Sequence, residues 1–186
     1  MRLRSLAERT QPIYREHAEQ LGMLLGKAGK TVIYGSASVG LMGAVADSTL
    51  AAGGKAIGVL PDFLTAYEIK HPNTDHIMVP DLYQRKKIML DDADGFIVLP
   101  GGLGTLDELF EIWSASQLQQ YHKPIGILNT HGFYDDLLQS VQKMAEQGFI
   151  NQSILDYVTV ANTPETLLTA TNTLKPLPSL REKFDQ

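Results

Sequence analysis

One stretch combines residue types and spacing suited to chemistry: Leu99-Pro100-Gly101-Gly102-Leu103-Gly104-Thr105-Leu106-Asp107-Glu108. It follows an apolar run, Gly95-Phe96-Ile97-Val98-Leu99, with the length and β-branched content of a buried strand. The glycines leave backbone N–H groups unshielded, and Thr105 is expected to open an amphipathic helix that runs to Tyr121. A strand, a glycine turn and a helix N-terminus make an anion site, because free N–H groups and the positive end of the helix dipole face one point. The expected chemistry is a phosphate held at Gly101–Thr105, with the Glu108 carboxylate one helical turn away as the acid/base candidate. No Gly-Lys-Ser/Thr follows, so this is not a Walker loop. Two plainer readings stand beside it. Thr105-x-x-Glu108 is also a capping box, and glycines after a strand can serve a turn alone.

A second group is Arg85-Lys86-Lys87, on a helix that Asp81 is placed to cap. Arginine suits a phosphate or a sugar hydroxyl through its planar, permanently charged fork; such a cluster is also the ordinary solvated side of a helix. A second glycine-rich turn, Gly35-Ser36-Ala37-Ser38-Val39-Gly40-Leu41-Met42-Gly43, does not have the dinucleotide spacing, although Asp62 follows at about the distance of a ribose ligand. Packing of a helix on a strand through Gly40 and Gly43, with some contact to substrate, fits it better. His71, His76, His122 and His131 read as loop residues without metal-ligand spacing and receive no role. Trp113 and the methionines read as core.

These groups need elements to hold them. Helices are expected over 12–28, from about 40 to Gly53, over 82–92, over 133–147 and after Thr163-Pro164. Strands are expected at 31–34, 55–60, 77–79, 95–99, 124–129 and 157–160. The alternation predicts an α/β fold: a Rossmann-like, doubly wound, mostly parallel sheet, with both glycine turns at carboxyl ends of strands, where ligands bind. One domain over 1–172 is expected, with 1–10 atypical, followed by a polar tail over 173–186. No run is long enough to span a bilayer, no secretory signal is visible, and there are no cysteines, which fits a cytoplasmic protein. A net charge of −5 disfavours nucleic acid as a partner.

The motif Pro100-Gly101-Gly102-x-Gly104-Thr105-x-x-Glu108 resembles the signature Pro-Gly-Gly-x-Gly-Thr-x-x-Glu of the LOG ("Lonely guy") family, the cytokinin riboside 5′-monophosphate phosphoribohydrolases. Arg85-Lys86 falls where that family carries Met-x-x-Arg-Lys, with Leu82 in place of the methionine. The likeness runs from about Pro12 to Ile150, through Tyr34-Gly35, Ser38–Gly43, His71-Pro72 and Lys123–Gly126. It implies a homodimer or larger homo-oligomer that hydrolyses the N-glycosidic bond of a purine nucleoside 5′-monophosphate, cytokinin-type or AMP, without cofactor or metal. It further implies catalytic roles for Glu108 and Arg85, and substrate contacts from Gly101, Gly102, Gly104, Thr105, Lys86, Leu82, Gly35 and Ser36. Members have also been labelled lysine decarboxylases, but no lysine here has a recognisable pyridoxal-phosphate context. Two further departures stand out. The family's Tyr-Gly-Gly-Gly-Ser is Tyr34-Gly35-Ser36-Ala37-Ser38, which is expected to add bulk to a loop near ligand, and the usual first strand is replaced by Leu3–Arg9. A non-catalytic nucleotide-binding or carrier protein of the same fold is the alternative.

Overall fold

Residues 11–66 and 70–171 are described by a computed structural model. The expectations for residues 1–10 and for the tail lie outside the described residues. The chain divides into two compact units, Met1–Ala93 and Asp94–Gln186.

In the first unit, helix α1 (Pro12–Lys27) starts on a proline, whose missing N–H is no loss in a first turn. It is followed by β1 (Thr31–Tyr34), α2 (Gly40–Ala51), β2 (Lys55–Pro61), a 3-10 turn (Asp62–Ala66), β3 (Asp75–Val79) and α3 (Leu82–Asp92). The strands form a parallel sheet in the order β1-β2-β3. Parallel neighbours need long crossovers; α2 supplies the first and residues 62–74 the second. Tyr34, Ala46 and Ala56 pack together between sheet and helix, with Val32 and Leu50 against them. Helices α1 and α2 meet backbone to backbone. A Cβ added at Gly26 would lie 2.5 Å from the Thr49 carbonyl oxygen, and one at Gly22 would collide with the Val45 carbonyl.

The second unit runs β4 (Phe96–Val98), α4 (Leu103–Gln117), β5 (Ile125–Leu128), a 3-10 turn (Thr130–Gly132), α5 (Asp135–Glu146), α6 (Gln152–Tyr157), β6 (Thr159–Ala161) and α7 (Pro164–Thr171). Its sheet is parallel, in the order β4-β5-β6, and every residue of β5 is buried. Leu167 of α7 lies over Gly126 and packs with Leu128 and Ala161, flanked by Ile97 and Leu99. Fully burying a leucine of this kind stabilises by about 1.5–3 kcal/mol.

The structure corrects several expectations. Helix α4 begins two residues before Thr105 and stops at Gln117, short of Tyr121, where Gln119 takes a left-handed φ of 56°. Tyr157 ends a short helix rather than opening a strand, because Asn151 starts a turn whose Ile154 carbonyl accepts the Trp113 indole N–H at 2.9 Å. His76 lies on β3 and not in a loop. Trp113 is core, but Met23, Met42, Met78 and Met144 are exposed; Met78, for one, sits on an edge strand. Among the described residues no helix is long and apolar enough to cross a membrane.

Candidate functional site

Strand β4 delivers the chain to Leu99-Pro100-Gly101, and Gly102 is the N-cap of α4 with an extended backbone (φ −92°, ψ −156°). The Gly102 carbonyl accepts from the Leu106 N–H at 3.1 Å, which closes the first turn. The N–H groups of Leu103, Gly104 and Thr105 belong to that first turn and have no intrahelical acceptor. Thr105 is therefore the third helical residue, and a Thr105–Glu108 capping box does not start this helix. The Thr105 side chain instead folds back on Gly101, where an added Cβ would collide with Oγ1. Glu108 lies one turn beyond Thr105 on the same helix face, and side chains on a helix lean toward its N-terminus.

The three loop glycines answer the question of a turn. None has a positive φ. A Cβ added at Gly102 or Gly104 would meet nothing within 4 Å. Leu103 between them is 86% exposed. Neither chain conformation nor chain packing calls for glycine at 102 or 104.

In the first unit, Asp81 caps α3 as expected, its Oδ1 accepting from the Gln84 N–H at 2.7 Å. Arg85 in the next turn is only 9% exposed, so it does not belong to the solvated side of the helix. Its guanidinium lies against Gly35, where an added Cβ would collide with Nη2. The structure thus brings Arg85 and Gly35 together. Lys87 faces outward and pairs with Asp91, while Leu82 is half-exposed at the first position of the helix. Lys86, next to Arg85, is intermediate in exposure. Leu82, Arg85, Lys86, Gly35 and Ser36 lie in the first unit; Gly101, Gly102, Gly104, Thr105 and Glu108 lie in the second.

Ser36 takes a left-handed φ of 75° at the position where the resembling family carries glycine, and it is 0% exposed. Its added bulk does not project into solvent. The side chain lies over Gly58, and Oγ is 2.8 Å from His76 Nδ1. His76 Nε2 donates to the His71 carbonyl at 2.8 Å, so Nδ1 accepts from Ser36. His71 is buried; its Nδ1 accepts the Asn73 N–H at 3.2 Å and its Nε2 donates to Asp47 Oδ1 at 3.0 Å. The Ser36 carbonyl closes the chain of bonds by accepting the His71 N–H at 3.1 Å. A serine bonded to an imidazole has the form of a nucleophilic pair, but a fully buried Oγ reaches no substrate; the network holds the loop after β1. Sequence reasoning gave His71 and His76 no role. The signal that could have found them was a serine at a glycine position, which needs something to hold it. Among the described residues no group of three or more His, Asp or Glu gathers as a metal site would.

Two parallel three-stranded units, with a glycine loop opening a helix, define an α/β protein of the Rossmann-like class. The molybdenum cofactor carrier protein of Chlamydomonas reinhardtii has the same fold: TM-score 0.67 over 89% of both chains, at 21% identity, a likeness of fold alone. Residues 42–171 match the family described as possible lysine decarboxylase. A probable cytokinin riboside 5′-monophosphate phosphoribohydrolase of Oryza sativa subsp. japonica is 40% identical over 157 residues, 84% of this chain. The matched stretch covers 64% of that relative, less than two-thirds of its length. The cytokinin riboside 5′-monophosphate phosphoribohydrolase of Mycobacterium tuberculosis is 35% identical over 83% of both chains. The chain belongs to this family, the LOG family.

Proposed function

We propose that this chain hydrolyses the N-glycosidic bond of purine nucleoside 5′-monophosphates, giving free base and ribose 5-phosphate. The observation that carries the reading is the pair Gly102 and Gly104, glycines that the chain's own conformation and packing do not use. A phosphate that must reach backbone N–H groups at a helix N-terminus does use them. The names of the rice and mycobacterial relatives supply the substrate class.

Breaking this bond leaves the electron pair on the departing base and develops positive charge on the ribose ring. Glu108 takes the sugar side, where its carboxylate stabilises the cation and orients the water that adds to the anomeric carbon. Arg85 binds the sugar or its phosphate and assists charge separation, with Lys86 beside it. Gly101, Gly102, Gly104 and Thr105 fix the 5′-phosphate, so binding energy far from the reacting carbon positions that carbon. Leu82, close in volume to the family's methionine, lines the base side. Gly35 and Ser36, both buried, act by shaping the loop against which Arg85 rests. The working form is a homodimer or larger homo-oligomer.

The test is product release from AMP and from isopentenyladenosine monophosphate, separated by chromatography, for wild type and Glu108→Gln. Base and ribose 5-phosphate from the wild type alone are expected, and the ratio of the two rates sets the substrate class. Wild-type turnover by Glu108→Gln removes Glu108 from the reaction. Nucleotide binding without release from either substrate identifies a carrier instead.

A further inference from the structure

The turn after β5 is built around one buried phenol. Tyr134 is 2% exposed, and its hydroxyl donates to the Leu99 carbonyl at 2.7 Å. The hydroxyl therefore holds the chain just ahead of Pro100, which has no N–H of its own to fix it. Tyr134 is in turn held from the sheet. Its backbone N–H donates to Asn129 Oδ1 at 2.7 Å, and Asn129 Nδ2 donates to Asp135 Oδ1 at 2.7 Å. The Asn129 N–H donates to the carbonyl of Ala161, the last residue of β6, at 2.8 Å. The Phe133 ring closes edge-on against the phenol, 4.8 Å between centroids.

We propose that Tyr134 is a positioning residue for phosphate binding: through its bond to Leu99 it sets the 99–105 loop so that the first N–H groups of α4 converge on the substrate's phosphate. The proposal rests on the phosphate reading of that loop given above. Tyr134 is too buried to touch substrate, so it acts through the loop. Its ring fills the core and a phenylalanine ring would fill it equally; the hydroxyl is the part left for the loop to use. Burial pushes the phenol up to about 12, against a smaller opposing effect of the Gly101 backbone, so the group remains a neutral donor at any pH where the reaction would be assayed. Small displacements of positioning groups cost turnover or affinity out of proportion to their size.

The experiment uses the full chain as wild type, Tyr134→Phe and Gly104→Ala, with AMP hydrolysis and competition by inorganic phosphate as readouts. Tyr134→Phe is expected to raise the KM for AMP and the inhibition constant of phosphate by about 3- to 10-fold, the size of one hydrogen bond, with kcat nearly unchanged. A merely structural tyrosine would lower kcat through lost folded protein and leave both constants alone; that result overturns the proposal. Gly104→Ala separates the two levels. If it weakens phosphate and Tyr134→Phe does not, the loop reading stands and the role of Tyr134 falls. If neither weakens phosphate, the loop reading falls and takes the proposal with it. NMR of the wild type decides the case if Tyr134→Phe does not fold: the Tyr134 hydroxyl proton is expected to exchange slowly, and a freely exchanging hydroxyl overturns the proposal.

Discussion

Gly104→Ala should make this protein more stable and worse at holding its ligand. Gly104 is the second residue of α4, its φ is not in the left-handed region, and a methyl group there meets open space. Replacing glycine by alanine in a helix gains about 0.5–1 kcal/mol, largely by restricting the unfolded chain. For a domain of this size a gain near 1 kcal/mol raises Tm by roughly 2–4 °C. The same methyl stands over N–H groups assigned to a phosphate. A hydrogen bond to a charged group contributes about 1.5–3 kcal/mol, so losing one weakens binding by about 10- to 100-fold. The two effects have opposite signs, which a general disturbance of the fold cannot produce. Thermal unfolding gives the first, and inhibition by ribose 5-phosphate or inorganic phosphate gives the second. Gly101→Ala is the contrast: its methyl meets the Thr105 side chain, so stability and binding should fall together. A Gly104→Ala protein that binds phosphate as the wild type does would refute the argument that a ligand explains these glycines.

Gly26→Ala is the same replacement in another helix with the opposite result: the added Cβ lies 2.5 Å from the Thr49 carbonyl oxygen, and overpacking should cost about 1–3 kcal/mol in urea unfolding. Ser36→Ala should cost about 0.5–1.5 kcal/mol by removing the part-buried bond to His76 Nδ1, whereas Ser36→Ala with His76→Phe should cost less than the sum of the single changes; additive costs in that double-mutant cycle would mean the bond holds nothing. Burial raises the Tyr34, Tyr134 and Tyr157 phenols above their ordinary value, Tyr134 to about 12. The folded protein then keeps these protons after the unfolded chain has lost them. Their stabilising contribution is complete below about pH 10 and disappears as pH rises toward 12. Phenolate absorbance should show part of the seven tyrosines ionising late, together with loss of helical circular dichroism; one ordinary titration of all seven would contradict the burial.

The sequence was most readable where one local rule decided the outcome. Pro12 at a helix start, Asp81 at a cap and the apolar run Ile125–Leu128 behaved as their chemistry dictates. The error at α4 came from giving the helix start to Thr105 because threonine is a good cap; the extended Gly102 took that place, and Thr105 turned back onto Gly101. From the residues alone Arg85 was open between a ligand role and the solvated side of the helix, and only the fold shows it buried against Gly35. The supports of the site were the least readable. Tyr134 reaches Leu99 across 35 residues and Ser36 reaches His76 across 40, and a hydrogen bond at such separation leaves no periodic mark in the chain.

Gly58 leaves no space for a side chain beneath the loop after β1. A Cβ on residue 58 would lie 2.7 Å from the Ser36 Cβ and 2.8 Å from the Ser36 Cα, so trimming residue 36 to glycine would still leave its backbone in the way. The two positions are therefore unequal: residue 36 can gain or lose a side chain, while residue 58 is held to glycine whichever residue stands at 36.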